Sequence, residues 1–364
     1  MRKSNLELLR IIAMLAIIAH HYVVNSGITD YYDFSNINAN MIFLQLWGAW
    51  GKSAINCFVL ISGYFMCTSQ LTWDRYCKIY VTAKFYKIVL FVFLAIMGYQ
   101  IVTFKSVFEL LFCYLLRAGE GFTGSFLVFS LFIPFYNILL KGLDKMQLKK
   151  LVTFLLFWET IVPTFLFNES LFNPIVWYIT LYFIAAYIKL YADDWMHNSK
   201  VCRVGLVFSF LVSAISIIVF DYMGTDFGFT SYYHMVGQSN RIFALLIGVF
   251  SFLFFLNLKM NDHKIINRIA STTFGVLCIH ANSDAMRAFL WKSLLKVSSQ
   301  YENLFWDLVL HSIVSMVAVF VVCSIIELCR QRFLGVSFLK MSNESKVFIE
   351  RFVDLKRWKM RIHK

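Results

Sequence analysis

The 364-residue chain predicts an all-α, polytopic membrane protein with about ten transmembrane helices. Three observations carry that expectation. Hydrophobic residues make up 59% of the chain, and mean hydropathy is +0.66. Charged residues contribute only 15%, against about 25% in an ordinary soluble domain. Long apolar runs recur from end to end, interrupted by 3 prolines and 16 glycines, so no sizeable water-soluble domain is left.

A spanning helix needs about 20 mostly apolar residues. The first candidate covers 6–26. It is interrupted by His20 and His21 and lacks a small-x-small cleavage site, so it reads as a membrane helix rather than a cleavable leader. The second covers 44–66 and carries the small pair Ser62-Gly63. The third, 82–102, has a basic stretch at its start, with Arg75 and Lys78 before it and Lys84 and Lys87 in its first turns, and the four are read as the inside loop. The stretch Phe108–Leu116 is apolar but too short to span, which suits the interface. Candidates at 124–141 and 150–167 flank Lys141, Lys145, Lys149 and Lys150. The sixth, 173–191, carries Trp177-Tyr178, which with Trp291 read as aromatic belt residues. Further candidates follow at 203–221, 241–257, 269–283 and 305–329, the ninth short enough to be re-entrant.

The net charge of +13 could suggest a nucleic-acid partner. The basic residues are instead spread over short loops between apolar runs, which fits the positive-inside rule and a lipid bilayer as partner. A cytoplasmic N-terminus puts most of them inside; Arg287, Lys292 and Lys296 are the exception. An even helix count puts the C-terminus inside as well. The chain then divides into a membrane domain over 1–335 and a basic tail over 336–364, with the anionic inner leaflet beside the tail. The eight cysteines form no C-x-x-C pair, so no disulfide framework is implied.

Ionisable residues inside a spanning helix are costly and mark function by default. The first helix holds Glu7, Arg10, His20 and His21. Arg10 and His21 are 11 positions apart, about three turns plus roughly 20°, so they share a face about 16 Å apart along the axis. His20 points roughly 80° away from Arg10. Glu7 stands three residues before Arg10, where it can pair with it. A guanidinium suits the phosphates of a nucleotide-like donor, and an imidazole suits proton transfer from a hydroxyl. The plainer reading makes the charged pair an interfacial anchor and the histidines helix-packing groups.

Ser62, Gly63 and Tyr64 shape a pocket beside the first helix or simply allow close packing. No G-x-S-x-G elbow surrounds Ser62, which argues against a nucleophile. Lys84 and Lys87 are candidates for donor phosphates, with plain inside anchoring as the simpler account. His280 either holds an acceptor, orients His21, or is a histidine satisfied at the interface. No metal is implied, since His20, His21 and His280 lack ligand-spaced carboxylates or thiols.

The segments ELLRIIAMLAIIAHH, FVLISGYFM, IVWYITLYFIAAYIKLY and RIASTTFGVLCIH, in that order, resemble the acyltransferase-3 family of multi-pass membrane acyltransferases. The resemblance covers essentially the whole chain up to the tenth helix. It implies transfer of an acyl group, usually acetyl, from acyl-CoA to a hydroxyl of a cell-surface carbohydrate or lipid-linked glycan. Acyl-CoA, foremost acetyl-CoA, is then a co-substrate, and no permanently bound cofactor is implied. The family's helix 1 arginine and histidine match Arg10 and His21, its Ser-Gly segment matches Ser62 and Gly63, and its late histidine matches His280. Lys84 and Lys87 stand where the family often has an arginine-rich cluster, which weakens bidentate phosphate binding there. A transporter or flippase of a lipid-linked glycan is the competing reading, because intramembrane histidines also serve proton relays. Against it stand the lack of an internal repeat and of Gly/Pro-broken helix pairs.

Overall fold

The computed structural model describes residues 3–112, 121–166, 172–227 and 232–350, with no side-chain description for 224–227 and 334–350. Helices dominate these residues, and no strand occurs among them. In a bilayer that outcome is dictated by backbone polarity, because a helix satisfies its own N–H and C=O groups.

The helices, in order, are α1 (Ser4–Val24), α2 (Ala39–Gly48), α3 (Gly51–Met66), α4 (Trp73–Ile96), α5 (Phe104–Phe112), α6 (Phe122–Lys141), α7 (Lys145–Leu156), α8 (Val162–Phe165), α9 (Pro174–Tyr191), α10 (Ser199–Phe227), α11 (Ile242–Asn257), α12 (Lys264–Ala270), α13 (Thr273–His280), α14 (Asp284–Arg287) and α15 (Phe305–Glu350). Local sequence sets several of their starts. Asn38 caps α2 by accepting from Met41 N–H. Asp144 and Gln147 form a reciprocal capping box on α7. Asn173 caps α9, with Pro174 in the first turn, where its missing N–H costs nothing.

Six helices among the described residues are long and apolar enough to cross a membrane: α1, α4, α6, α9, the Ser199–Met223 part of α10 and the Phe305–Phe333 part of α15. The other four expected crossings take different forms. The segment 44–66 becomes α2 and α3, broken at Ala49-Trp50. The segment 150–167 is a helical rod that starts earlier, at Lys145, and passes through a π turn at Phe157–Ile161. Helix α11 has 16 residues. The segment 269–283 is split between α12 and α13 by Ser271-Thr272, whose hydroxyls take the Arg268 and Ile269 carbonyls at 2.6 and 2.7 Å. Such side-chain bonds compete with the helical ladder.

This split element lies along α1. At its start, Asn267 lies 2.9 Å from the Ser4 hydroxyl; at its end, His280 lies 3.1 Å from His21. The pair α12–α13 therefore runs the length of α1. The Ser4 hydroxyl also accepts the His263 N–H at 2.8 Å and meets Asp262 at 3.0 Å. That contact and the Asn267 amide hold the exposed Asp262 carboxyl below its ordinary range.

Helices α1 and α9 are the most enclosed spans, with 56% and 61% of their apolar windows buried, against 22% for α4 and for α10. Helix α3 packs against both, and α11 packs against α3 and α1. Gly63 lets α3 approach α9: an added Cβ would lie 3.1 Å from Ala185 Cβ and 3.2 Å from Tyr182 Cα. Asn56 ties three elements together. Its amide donates to the Ser239 and Ala244 carbonyls at 2.7 and 3.0 Å, and its oxygen accepts from Trp177 Nε1 at 2.9 Å. Asn56→Ala strands the buried indole N–H and two carbonyls, at a cost of about 2–3 kcal/mol. A lowered thermal unfolding midpoint in detergent is the expected reading.

Three aromatic assignments change. Trp177 and Trp291 are fully buried, and Tyr178 is 3% exposed, so none serves as a belt residue. Lys84 and Lys87 also move. Helix α4 begins at Trp73 rather than near 82, which carries both lysines into the middle of a span instead of an inside loop. Of the expected interfacial stretch, α5 ends at Phe112 and residues 113–116 lie outside the described residues. Helix α15 runs unbroken past the expected domain boundary at 335, and the end of the tail, 351–364, lies outside the described residues.

Candidate active site

The last turn of α1 presents three consecutive polar side chains with separate surroundings. His20 is buried, and its Nδ1 donates to the Gly48 carbonyl at 2.6 Å. Gly51 packs directly on this ring: an added Cβ would lie 2.4 Å from His20 Cβ and 2.5 Å from Cγ. Tyr22 is fully buried; its hydroxyl meets His311 Nδ1 at 2.9 Å, and Trp291 stands edge-on to its ring. His21 alone of the three keeps part of its surface accessible.

His21 Nδ1 lies 3.1 Å from His280 Nε2, and the ring centroids are 5.1 Å apart. His280 is fully buried, and its Nδ1 lies 2.6 Å from the carbonyl of Val276, one turn back on α13. A carbonyl only accepts, so His280 must carry its proton on Nδ1. For neutral rings its Nε2 is then an acceptor, and His21 must carry its proton on Nδ1. The lone pair of His21 is left on Nε2, the nitrogen outside the chain of bonds. The backbone of one helix thus fixes the tautomer of an imidazole on another. Covalent order explains the placement: His280 and Val276 are four residues apart, neighbours on one helical face.

Arg10 and Glu7 are joined as expected, with Arg10 Nη1 3.2 Å from Glu7 Oε1. The Glu7 side chain is nearly enclosed, while 28% of the Arg10 side chain remains open. The pair sits near the opposite end of α1 from His21. Tyr64 lies at that end too, with Lys189 4.4 Å and Lys3 5.5 Å from its ring centre. The Ser62 hydroxyl donates to the Phe58 carbonyl of its own helix at 2.8 Å. The structure therefore brings Ser62, Gly63 and Tyr64 to the depth of Arg10 and not to His21. Lys84 reaches the Leu110 and Leu111 carbonyls. Lys87 donates to the Asn282 carbonyl, two residues beyond His280. Of the two lysines, Lys87 is the one at the imidazole site.

Three features escaped sequence reasoning. Gly51 is an ordinary glycine until its neighbour is known. His311 sits in the last apolar helix, where the rule applied to His20 and His21 would have found it. Glu327 is the third: buried on α15, it accepts both Arg330 Nε and Nη2 at 2.7 Å and the Tyr86 hydroxyl at 2.7 Å. It packs on Gly275 of α13 and so anchors the helix that carries His280. Gly51→Ala displaces His20 and with it the last turn of α1. A shift of about 1 Å at a reacting group can cost about 100-fold in rate. The expected outcome is at least a tenfold loss of turnover at normal membrane levels, measured as initial rate per unit of protein.

The described residues form an α-helical membrane bundle with a hydrogen-bonded imidazole pair at one end of its α1 helix. Residues 3–328 match the family model described as an acyltransferase domain, and the chain belongs to this acyltransferase-3 family. It is an acyl-transferring membrane enzyme. Comparison with curated proteins and with solved structures returns no match.

Proposed function

We propose that the protein transfers an acyl group, foremost acetyl, from acyl-CoA to a hydroxyl of a cell-surface or exopolysaccharide sugar. One observation carries the assignment of roles: the hydrogen-bonded series from the Val276 carbonyl through His280 to His21. His21 Nε2 accepts the proton of the sugar hydroxyl as its oxygen attacks the thioester carbonyl. The new C–O bond forms, the C–S bond breaks, and the thiolate of CoA takes the proton back from the imidazolium. His280 orients His21 and shares the charge while the proton is held. Arg10, braced by Glu7, receives the donor phosphates about 16 Å from His21 along α1. The pantetheine arm of CoA is a flexible chain suited to cover that separation.

The same reading sets the topology. The N- and C-termini face the cytoplasm, the membrane is the bacterial cytoplasmic membrane, and the broken and short elements complete about ten crossings. The Arg10 end, rich in Lys and Arg, then faces the acyl-CoA pool, and the His21 end faces outward. Incubation of membranes with labelled acetyl-CoA and polysaccharide tests the reaction. Alkali-labile label on the polysaccharide, dependent on the protein, supports it. A glycan that changes sides without gaining acyl groups, with or without CoA, identifies a flippase instead.

A further inference from the structure

Next to the His21 end of α1 lies a cavity of ≈170 Å³ bounded by the first turns of α3, α6 and α9. Its apolar wall is aromatic: Phe122, Phe172 and Tyr178 line it, the first and last 5.7 Å apart between ring centres. Its polar lining is Lys52, Gln238 and Ser239. Gln238 Oε1 is buried without a hydrogen-bond partner. Lys52 directly follows Gly51, the residue packed on His20, and interacts electrostatically with both His20 and His21. It is half-buried, and no hydrogen bond or ion pair satisfies its ammonium among the described residues. The other cation acting on His21, Arg287, is already paired with Asp284 at 2.7 Å.

An ammonium group withdrawn from water without an anion is costly. Flat aromatic surfaces with an unpaired amide oxygen suit a sugar ring, whose axial C–H groups stack and whose hydroxyls donate. The cavity is about the size of one monosaccharide unit, and its Lys52 stands one residue from Gly51, which packs on His20 in the turn that carries His21. We propose that this cavity is the acceptor subsite and that Lys52 selects a sugar carrying a negative group, a carboxylate or a phosphate. The proposal rests on the acyl-transfer reading above and names the class of its acceptor.

The test uses the full-length protein in membranes with acetyl-CoA and three acceptor types. These are an oligosaccharide containing uronic acid, the same oligosaccharide with its carboxyl groups reduced to alcohols, and a glycosyl phosphate. A charge-assisted contact corresponds to about 10- to 100-fold in KM. The expected result is that margin in favour of a charged acceptor over the carboxyl-reduced one. Lys52→Gln is expected to bring the ratio close to one, and Lys52→Arg to retain much of it. Preference for the uronate identifies the anion as a carboxylate, and preference for the glycosyl phosphate alone identifies it as a phosphate; both support the proposal. Equal transfer to charged and reduced acceptors by the unaltered protein overturns it while leaving acyl transfer intact, whatever the stability of the Lys52 variants. Transfer to none of them overturns the acyl-transfer reading as well.

Discussion

Replacing His21 with alanine is expected to reduce acyl transfer by about 10²- to 10⁴-fold, the range that a positioned general base contributes. His21 is the accessible member of the imidazole pair, and its Nε2 is the nitrogen left with a lone pair once the Val276 carbonyl has fixed the proton on His280. The side chain carries little of the packing. Its neighbours His20 and Tyr22, both buried, hold the last turn of α1 in place. The variant should therefore reach the membrane at normal levels. Proton NMR of the surface polysaccharide before and after mild alkali gives the reading, with cells lacking the protein as the baseline. Undiminished alkali-labile acyl signal from the His21→Ala protein would eliminate His21 as the base.

The second large effect concerns His280, for which the proposed mechanism gives a positioning role exerted through His21. His280→Ala removes the acceptor of the His21 Nδ1–H bond, so the ring can rotate and populate the wrong tautomer. Loss of such an orienting partner costs about 100-fold or more in kcat. KM for acyl-CoA should change little, because Arg10 and Glu7 lie toward the far end of α1. His280→Gln supplies a side-chain carbonyl that can accept from His21 Nδ1, so it should recover part of the rate. A purely structural role for His280 predicts that the two variants lose activity in proportion to their membrane levels. Equal specific activity in wild type and His280→Ala would separate the two histidines altogether.

Much of this protein was legible along the chain. A membrane bundle follows from apolar runs that a helix alone can carry across a bilayer. The Glu7–Arg10 pair follows from a three-residue spacing, and the shared face of Arg10 and His21 from helical periodicity. The irregular crossings were harder to read. Hydropathy treats 269–283 as one short run, whereas the hydroxyls of Ser271 and Thr272 split a longer element that reaches back to Lys264. Charge is expected outside the bilayer, so Lys84 and Lys87 read as loop residues from the sequence. Each instead lies within α4 and finds a carbonyl, Lys84 at Leu110 and Leu111 of the peripheral α5 and Lys87 at Asn282, and such partners lower the cost of a charge within a span. Trp177 looks like a belt residue by position, yet Asn56 gives its indole N–H a buried partner.

The sequence by itself determined the class of the protein, its family and the identity of its chemically capable residues, because composition and local periodicity are properties of the chain. Only the tertiary structure decided which of them meet. His21 and His280 are separated by 259 positions and 3.1 Å. Their contact depends on α12–α13 running beside α1 for its whole length, which is fixed at one end by Ser4 and at the other by the imidazoles themselves. The same packing leaves Ser62 and Gly63 at the far end and sets Lys52, to which the sequence attaches no signal, next to the Gly51–His20 contact. Contacts between residues so distant in sequence arise from how whole helices pack, and no local pattern encodes that arrangement.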